Sequence, residues 1–389
     1  MNDFKIVSKP ELIYGVNTSL TAGTVLKKLG CSKIICVYDQ GVKSAGLVDK
    51  IVKVIEGEGI EVVHFDGVVA DPPDTVVDEA GEIGRKEKVN GIVAIGGGSA
   101  MDTVKGINIL LSNPGSITQY KAGTVYNLSR TPMVMIPTTS GTGSETTTMG
   151  VITSSKEHRK TIIHGEGCTA NVAILDPALT LGLPPYPTAA TGMDVLAHAA
   201  ESLTIKNNWS EYSAMFAENA IAMVVKYLPI AVADGSNMEA RENMMLAATF
   251  AGTAFTDASV HMGHGIGHSL GAKFHIPHGV ACAIGLPSVM KFVATEESEK
   301  VKRVGKAMGL TFKDDATPEE IGQLVADEMF ALNTTVGIPT LQALDIGRDS
   351  FSDVADLVIQ DTTYYNYPVK ASKDDIVGAL EQAYDRGEN

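Results

Sequence analysis

Five of the nine histidines in this 389-residue chain fall between positions 261 and 278, in the run HMGHGIGHSLGAKFHIPH. His261, His264 and His268 step by three and then four, a spacing that sets all three imidazoles on one helix face. Converging imidazoles are common donors to a metal ion. Gly263, Gly265, Gly267 and Gly271 interrupt the same run, and each would cost an isolated helix roughly 1 kcal/mol relative to alanine. That cost is understandable where another backbone or a bound molecule comes close, so the face reads as the wall of an active site. A second cluster, GMDVLAH at 192–198, places Asp194 and His198 at i and i+4 of another helix. A capping carboxylate and satisfied core histidines would explain one such cluster. Two clusters, each set among small apolar residues, point to a divalent metal held by one carboxylate and several imidazoles.

Both clusters sit in the second half of the chain, which differs in texture from the first. In the first half, short β-branched runs at 32–39, 61–67 and 91–95 alternate with amphipathic stretches at 42–57 and 74–88. Such alternation predicts a parallel sheet covered on both faces, with ligands at the carboxyl ends of its strands. Strands at 133–136 and 172–175 continue it, and 151–163 reads as a hairpin turning at SSKE. From DP at 176–177 and LPPYP at 183–187 onward the pattern is helical, clearest at 210–227, 238–256 and 318–332. The expected organisation is an α/β domain over 1–184 and an all-helical domain over 185–389.

Two loops of the first half suit a dinucleotide. Gly96, Gly97, Gly98 and Ser99 follow a buried strand and open a helix at about 100–111, where free backbone N–H groups and the helix dipole favour a pyrophosphate. The spacing is not the usual G-x-G-x-x-G. The next loop, PTTSGTGSET at 137–146, again follows a strand and adds hydroxyl donors. Asp39, at the end of a strand, suits a ribose hydroxyl and would repel a 2′-phosphate, so NAD(H) is expected over NADP(H).

These motifs together resemble the iron-dependent (group III) alcohol dehydrogenases, a family that includes propanediol, lactaldehyde and butanol dehydrogenases. GGGSAMDTVK (96–105), PTTSGTGSE (137–145), AILDPALT (173–180), GMDVLAHAAE (192–201) and GHGIGHSLGAKFHIPHG (263–279) match the family in order and spacing. The resemblance implies a Rossmann-like N-terminal domain and an all-helical metal-binding domain, an architecture shared with dehydroquinate synthase. It implies Asp194, His198, His264 and His278 as ligands of Fe(II), with Zn(II) or Mn(II) compatible with the same donors, and His268 beside the reacting centre as a proton carrier. For the dinucleotide it points to Asp39, Gly97, Gly98, Ser99, Asp102, Thr138, Thr139, Thr142, Lys160 and Leu179. His261 and His275 are additional to the family pattern. Phe255, Lys273 and His268 are the expected substrate contacts.

The implied reaction is reversible hydride transfer between NAD(H) and a small primary alcohol/aldehyde pair. Lys273 stands where the resembling dehydrogenases usually carry an apolar or aromatic residue. It reads either as a solvated lysine at a helix end or as the anchor for an anionic tail, as in succinic semialdehyde or sulfoacetaldehyde. A glycerol dehydrogenase-like zinc enzyme and a dehydroquinate synthase-like lyase are the alternatives, the latter requiring a basic phosphate pocket that the sequence does not reveal.

Composition narrows the partners. A formal net charge of −15 with 20% charged residues leaves no basic stripe for nucleic acid. Cys31, Cys36, Cys168 and Cys282 are scattered and read as reduced thiols. With no leader-like segment and no apolar stretch long enough to span a bilayer, the expectation is a cytoplasmic protein without membrane contact. Segments 4–7 and 11–15 look like edge strands without partners in the β-α alternation, which predicts a homodimer or larger assembly.

Overall fold

The computed structural model describes residues 10–129, 131–157 and 159–385. The chain divides into two compact units, one from 10 to 139 with 143–182, the other from 183 to 385 with Ser140–Thr142.

The first unit is built on strands β1 (Glu11–Tyr14), β2 (Lys33–Asp39), β3 (Glu61–Val68), β4 (Gly91–Gly96), β5 (Met133–Pro137), β6 (Met149–Ser154), β7 (Arg159–His164) and β8 (Val172–Leu175). Six form one parallel sheet in the order β1-β8-β5-β4-β2-β3, and β6 pairs with β7 in an antiparallel hairpin. Helices α1 (Ala22–Lys28), α2 (Gln40–Ser44), α3 (Leu47–Gly57), α4 (Asp74–Glu87) and α5 (Gly98–Ser112) connect them. Both sheet faces are covered. Ile34, Cys36 and Tyr38 of β2 pack with Val48, Ile51 and Ile55 of α3 on one side, while Ile35 and Val37 pack with Ala80 of α4 and Met101, Val104 and Ile107 of α5 on the other. This is why β2, β4, β5 and β8 are nearly continuous apolar runs with no alternating pattern.

Two expectations are corrected here. The helix expected over 42–57 is two helices, because Gly46 adopts φ +70° between them, a left-handed conformation that glycine takes without steric cost. Residues 11–14 have a partner after all: β1 pairs in parallel register with β8, Glu11 opposite Val172 and Tyr14 opposite Leu175. Segment 4–7 lies outside the described residues.

The second unit is helical: α6 (Pro185–Thr204), α7 (Glu211–Ala233), α8 (Met238–Ala258), α9 (Met262–Phe274), α10 (His278–Ala307, bent at Glu297), α11 (Pro318–Thr335), α12 (Phe351–Gln360) and α13 (Lys373–Asp385). Helix α6 is buried almost throughout from Thr188 onward, which explains its alanine-rich, two-sided apolar sequence. Small residues let α6, α9 and α10 approach closely. A Cβ built on Gly279 of α10 would lie 2.0 Å from the Ala190 carbonyl oxygen of α6, and one on Gly267 of α9 would lie 2.4 Å from Cys282 Sγ of α10. The glycines are the contact surfaces of that crossing.

Candidate metal centre

Helix α6 carries Asp194, His198 and Glu201 inward, and all three are buried. Helix α9 contributes His264 and His268, and the first turn of α10 contributes His278 and Cys282. Four rings crowd together: His198 and His264 have centroids 4.5 Å apart, His264 and His278 5.4 Å, and His268 and His278 5.4 Å. Asp194 Oδ1 faces them, 3.7 Å from His198 Nδ1, 3.8 Å from His264 Nε2 and 3.5 Å from His278 Nε2.

These separations are too long for hydrogen bonds. They suit donors surrounding one cation, since two ligands of a tetrahedral ion with bonds of about 2.1 Å stand about 3.4 Å apart. Asp194 Oδ1, His198 Nδ1 and His264 Nε2 are all buried without a hydrogen-bond partner. Orphaned buried donors of this kind cost free energy unless something else satisfies them, and a divalent ion would do so. The residues present fit a metal.

Among the described residues, Asp194, His264, His278 and Cys282 form a donor group whose ligand atoms all lie within 4.8 Å of one another. It shares three members with the set expected from sequence. His198 stands at its side, its ring stacked on Phe255 at 4.2 Å and 12°, so Phe255 sets the plane of that imidazole.

Electrostatics follow from burial. Desolvation pushes the Asp194 carboxyl up to about 6 and drives His198 well below its ordinary value, leaving His198 neutral and able to ligate. Burial would lower His264 too, but the Glu201 and Asp194 carboxylates raise it. Glu201 itself is opposed by burial and held well below the usual carboxylate range by His261 and His264.

Glu201 is the site residue that sequence reasoning missed. Its Oε1 accepts the Gly263 N–H at 2.5 Å, and its Oε2 accepts the His264 N–H at 3.2 Å and the His264 ring Nδ1–H. The available signal was its position three residues after His198 and seven after Asp194, hence on the same helix face.

The extra histidines stand outside the cluster, and one of them corrects the one-face reading. His261 precedes α9 with non-helical φ −136°, ψ −136°, so its ring does not share the helix face of His264 and His268. It turns inward, Nε2 2.8 Å from Thr204 Oγ1 and Nδ1 3.0 Å from Glu201 Oε1, the latter out of hydrogen-bond alignment. His275 ends α9 in a left-handed conformation at φ +57°. His268 pairs through Nδ1 with Asp361 Oδ2 at 2.9 Å. The Lys273 ammonium lies 2.7 Å from the mostly exposed Asp353 carboxylate, the surface pairing expected of a helix-end lysine.

Of the dinucleotide candidates, Gly97 caps α5 and Gly98 and Ser99 form its first turn at the carboxyl end of β4. The Thr138 N–H bonds the Gly96 carbonyl at 3.1 Å, and a Cβ on Gly97 would meet Thr139 Oγ1 at 3.1 Å, so the two loops are adjacent. Asp39 ends β2 and caps α2 by accepting the Val42 N–H at 3.0 Å. Asp102 accepts the Ser144 hydroxyl at 2.7 Å and the Val151 N–H at 2.9 Å. Lys160 of β7 pairs with Asp71, Leu179 packs in the sheet core, and Thr142 groups with the helical unit. A further residue unassigned from sequence is Lys105, fully buried, whose ammonium donates to Ser144 Oγ and Thr147 Oγ1, both at 2.7 Å, and to the Met149 carbonyl at 2.5 Å.

Comparison with known proteins settles the family. The iron-containing alcohol dehydrogenase model matches residues 9–177, and the C-terminal model of the Fe-containing alcohol dehydrogenases matches residues 188–384. The chain belongs to the iron-containing alcohol dehydrogenase family. It is 35% identical to the 1,3-propanediol dehydrogenase of Citrobacter freundii over 95% of this chain and 96% of that one. The crystal structure of a 1,3-propanediol oxidoreductase superposes with a TM-score of 0.93 at 32% identity, covering 98% of this chain and all of the other. The sulfoacetaldehyde reductase of Bifidobacterium kashiwanohense, solved with NAD+, superposes with a TM-score of 0.89 at 29% identity over 99% of both chains. All three are oxidoreductases by name, which sets aside the lyase alternative. The chain is therefore an NAD-dependent alcohol dehydrogenase of a family that uses a divalent metal, with the parallel-sheet and helical architecture of its relatives.

Proposed function

We propose that this alcohol dehydrogenase interconverts a small, uncharged primary alcohol and its aldehyde. In this reading the α/β domain over 1–184 binds NAD(H) through the GGGS and PTTSGTGSE loops and Asp39, and the helical domain over 185–389 holds the metal through Asp194, His198, His264 and His278. The observation that carries it is the buried set of unpartnered donors, Asp194 Oδ1, His198 Nδ1 and His264 Nε2, facing one another. When bound, the divalent ion draws electron density from the substrate oxygen while the nicotinamide carries the hydride.

The chain's own residues then have distinct tasks. Asp194 supplies anionic charge, and burial keeps water from weakening its attraction for a cation. Glu201 accepts a hydrogen bond from His264 Nδ1–H, which in the neutral ring leaves Nε2 free of a proton on the side of Asp194. His268 is arranged in the same way: the Asp361 carboxylate can only accept, so the proton sits on Nδ1 and Nε2 is left to take up or return the alcohol proton. Phe255 stacks on His198 and presents an apolar surface beside the cluster.

An anionic-tail substrate is the second reading, favoured by the sulfoacetaldehyde reductase likeness. It needs a cation in the pocket, and Lys273 is already neutralised by Asp353. The uncharged substrate is preferred for that reason. NADH oxidation by metal-stripped protein, reloaded with Fe(II), Zn(II) or Mn(II) and offered neutral and anionic aldehydes of equal length, tests both points. Turnover that survives stripping and the His264→Ala change would overturn the metal reading. A preference of about tenfold for the anionic aldehydes, lost in Lys273→Met, would overturn the neutral one.

The same reading includes a cytoplasmic dimer. All four cysteines are free and buried, as in a reducing compartment. Leu12, Tyr14, Val16 and Leu20 leave apolar surface exposed along the β1 edge, where a second copy would cover it. A monomeric sedimentation profile at micromolar concentration would refute the dimer.

A further inference from the structure

We propose that Cys282 is a donor to the metal, giving this centre a thiolate that biases it toward zinc or cobalt over manganese. The inference rests on the metal reading above and concerns a residue outside the expected ligand set. His278 and Cys282 lie at i and i+4 on the first turns of α10, the same spacing by which α6 presents Asp194 and His198.

The distances put Sγ within reach of the same ion. Cys282 Sγ stands 3.7 Å from His278 Nε2 and 3.9 Å from its Nδ1. A thiolate and an imidazole on one tetrahedral ion, with bonds of about 2.3 and 2.0 Å, are separated by about 3.6 Å. Sγ also falls within 4.8 Å of the donor atoms of Asp194 and His264, both of which are buried and unpartnered. Gly267 of α9 leaves the space that Sγ fills, since a Cβ at that position would come within 2.4 Å of it.

Coordination releases the thiol proton to solvent and changes no oxidation state. Two anionic donors, Asp194 and Cys282, then balance the two positive charges of the ion. A soft sulfur among imidazoles suits Zn(II) or Co(II), whereas Mn(II) prefers oxygen.

Cobalt substitution of the full-length protein tests this without reference to turnover. Metal-stripped wild type titrated with Co(II) is expected to develop a near-ultraviolet sulfur-to-cobalt charge-transfer band beside the visible d–d bands of the ion. Cys282→Ser and Cys282→Ala should lose the charge-transfer band and keep d–d absorption. Zinc affinity should fall on the order of tenfold in both variants, with manganese affinity little changed. Cobalt d–d bands in wild type without charge transfer would overturn the thiolate and leave the metal centre standing. A charge-transfer band that survives in Cys282→Ala would assign it to Cys31, Cys36 or Cys168, all in the other unit, and would overturn the proposal equally. Absence of any cobalt binding that Asp194→Ala removes would overturn the metal reading itself, and this proposal with it.

Discussion

Glu201 and His264 form a buried pair in which the carboxylate receives the ring Nδ1–H and the backbone N–H of the same histidine. The pair fixes the imidazole in one tautomer and one orientation, with Nε2 toward Asp194. Because Glu201 also receives the Gly263 N–H, it ties the start of α9 to α6. One side chain thus sets both a helix position and a donor direction.

Glu201→Gln tests this arrangement. The amide offers one acceptor oxygen where two are used and turns an NH2 toward existing donors. Metal affinity is expected to drop by about 10- to 100-fold, read by chelator competition, and stability by about 3 to 5 kcal/mol, read by urea unfolding. Unchanged metal affinity in a folded variant would show that Glu201 holds the helices together without directing the ligand.

Much of this was legible because it is written in local spacing. The Gly96–Ser99 turn, the i, i+4 pair Asp194 and His198, and the short apolar runs of β2, β4 and β5 are all short-range patterns. The tertiary partners were not. Asp361 is 93 residues from His268, and nothing near either residue announces the other. Lys105 closes the GGGSAMDTVK motif with no role legible there, because its partners Ser144 and Thr147 come from the next loop. His261 looked like part of a histidine face because spacing assumes the helix has begun, and the helix begins one residue later. Cys282 reads from its scattered placement only as a reduced thiol, since its nearness to Asp194 depends on the crossing of α6 and α10.

That crossing is itself testable. Gly279→Ala would push a methyl into the Ala190 carbonyl oxygen, 2.0 Å away, and to 3.1 Å from Asp194 Cβ. Both contacts are rigid, so α10 must move and carry His278 with it. The expected cost is about 1 to 3 kcal/mol in stability, measured by urea unfolding, together with reduced bound metal per chain by elemental analysis. A variant with normal stability would mean that the helices accommodate the methyl without shifting.

Metal-linked stability should depend on pH in a stated direction. Burial raises the Asp194 carboxyl from 3.8 to about 6. In the metal-free protein this group's stabilisation is present below 3.8 and is lost as pH rises through about 6. Metal ligation needs the carboxylate, so below about pH 6 the ion must displace a proton. His264, lowered by burial but raised further by Glu201 and Asp194, extends that competition upward from its ordinary value. The difference in Tm between zinc-loaded and metal-free protein should therefore widen steadily from about pH 5 to about pH 8. A difference that is flat or shrinks over this range would contradict the protonation states assigned here.

Lys105 gives a prediction in the other unit. Replacing it with Met keeps the volume but removes the cation that bonds Ser144, Thr147 and the Met149 carbonyl and lies 3.6 Å from Asp102. Burial lowers the Lys105 pKa, opposed mainly by Asp102, so the ammonium depends on that partner. Lys105→Met should cost about 3 to 5 kcal/mol, and NADH affinity measured by fluorescence titration should weaken as the 137–146 loop loses its anchor. Double replacement with Asp102→Asn should restore part of the stability, because the carboxylate left without its counter-charge is then removed.

The pairing of His268 with Asp361 predicts which step each residue affects. Burial would raise the Asp361 carboxyl, but its hydrogen bonds from His268 and Thr363 hold it below the usual range, so it remains an acceptor for the His268 Nδ1–H. His268→Ala removes the proton carrier and should lower kcat by about 100-fold or more, with little change in the Kd for NADH. Asp361→Asn leaves the ring in place but lets the proton move from Nδ1 to Nε2, so that Nε2 can no longer accept from an alcohol. It should therefore lower alcohol oxidation more than metal content or NADH affinity. In this variant the pH profile of kcat for oxidation should shift relative to wild type, whereas damage to packing alone would lower the profile at every pH without moving it. An unshifted profile with reduced activity would show that Asp361 supports the helix and not the proton.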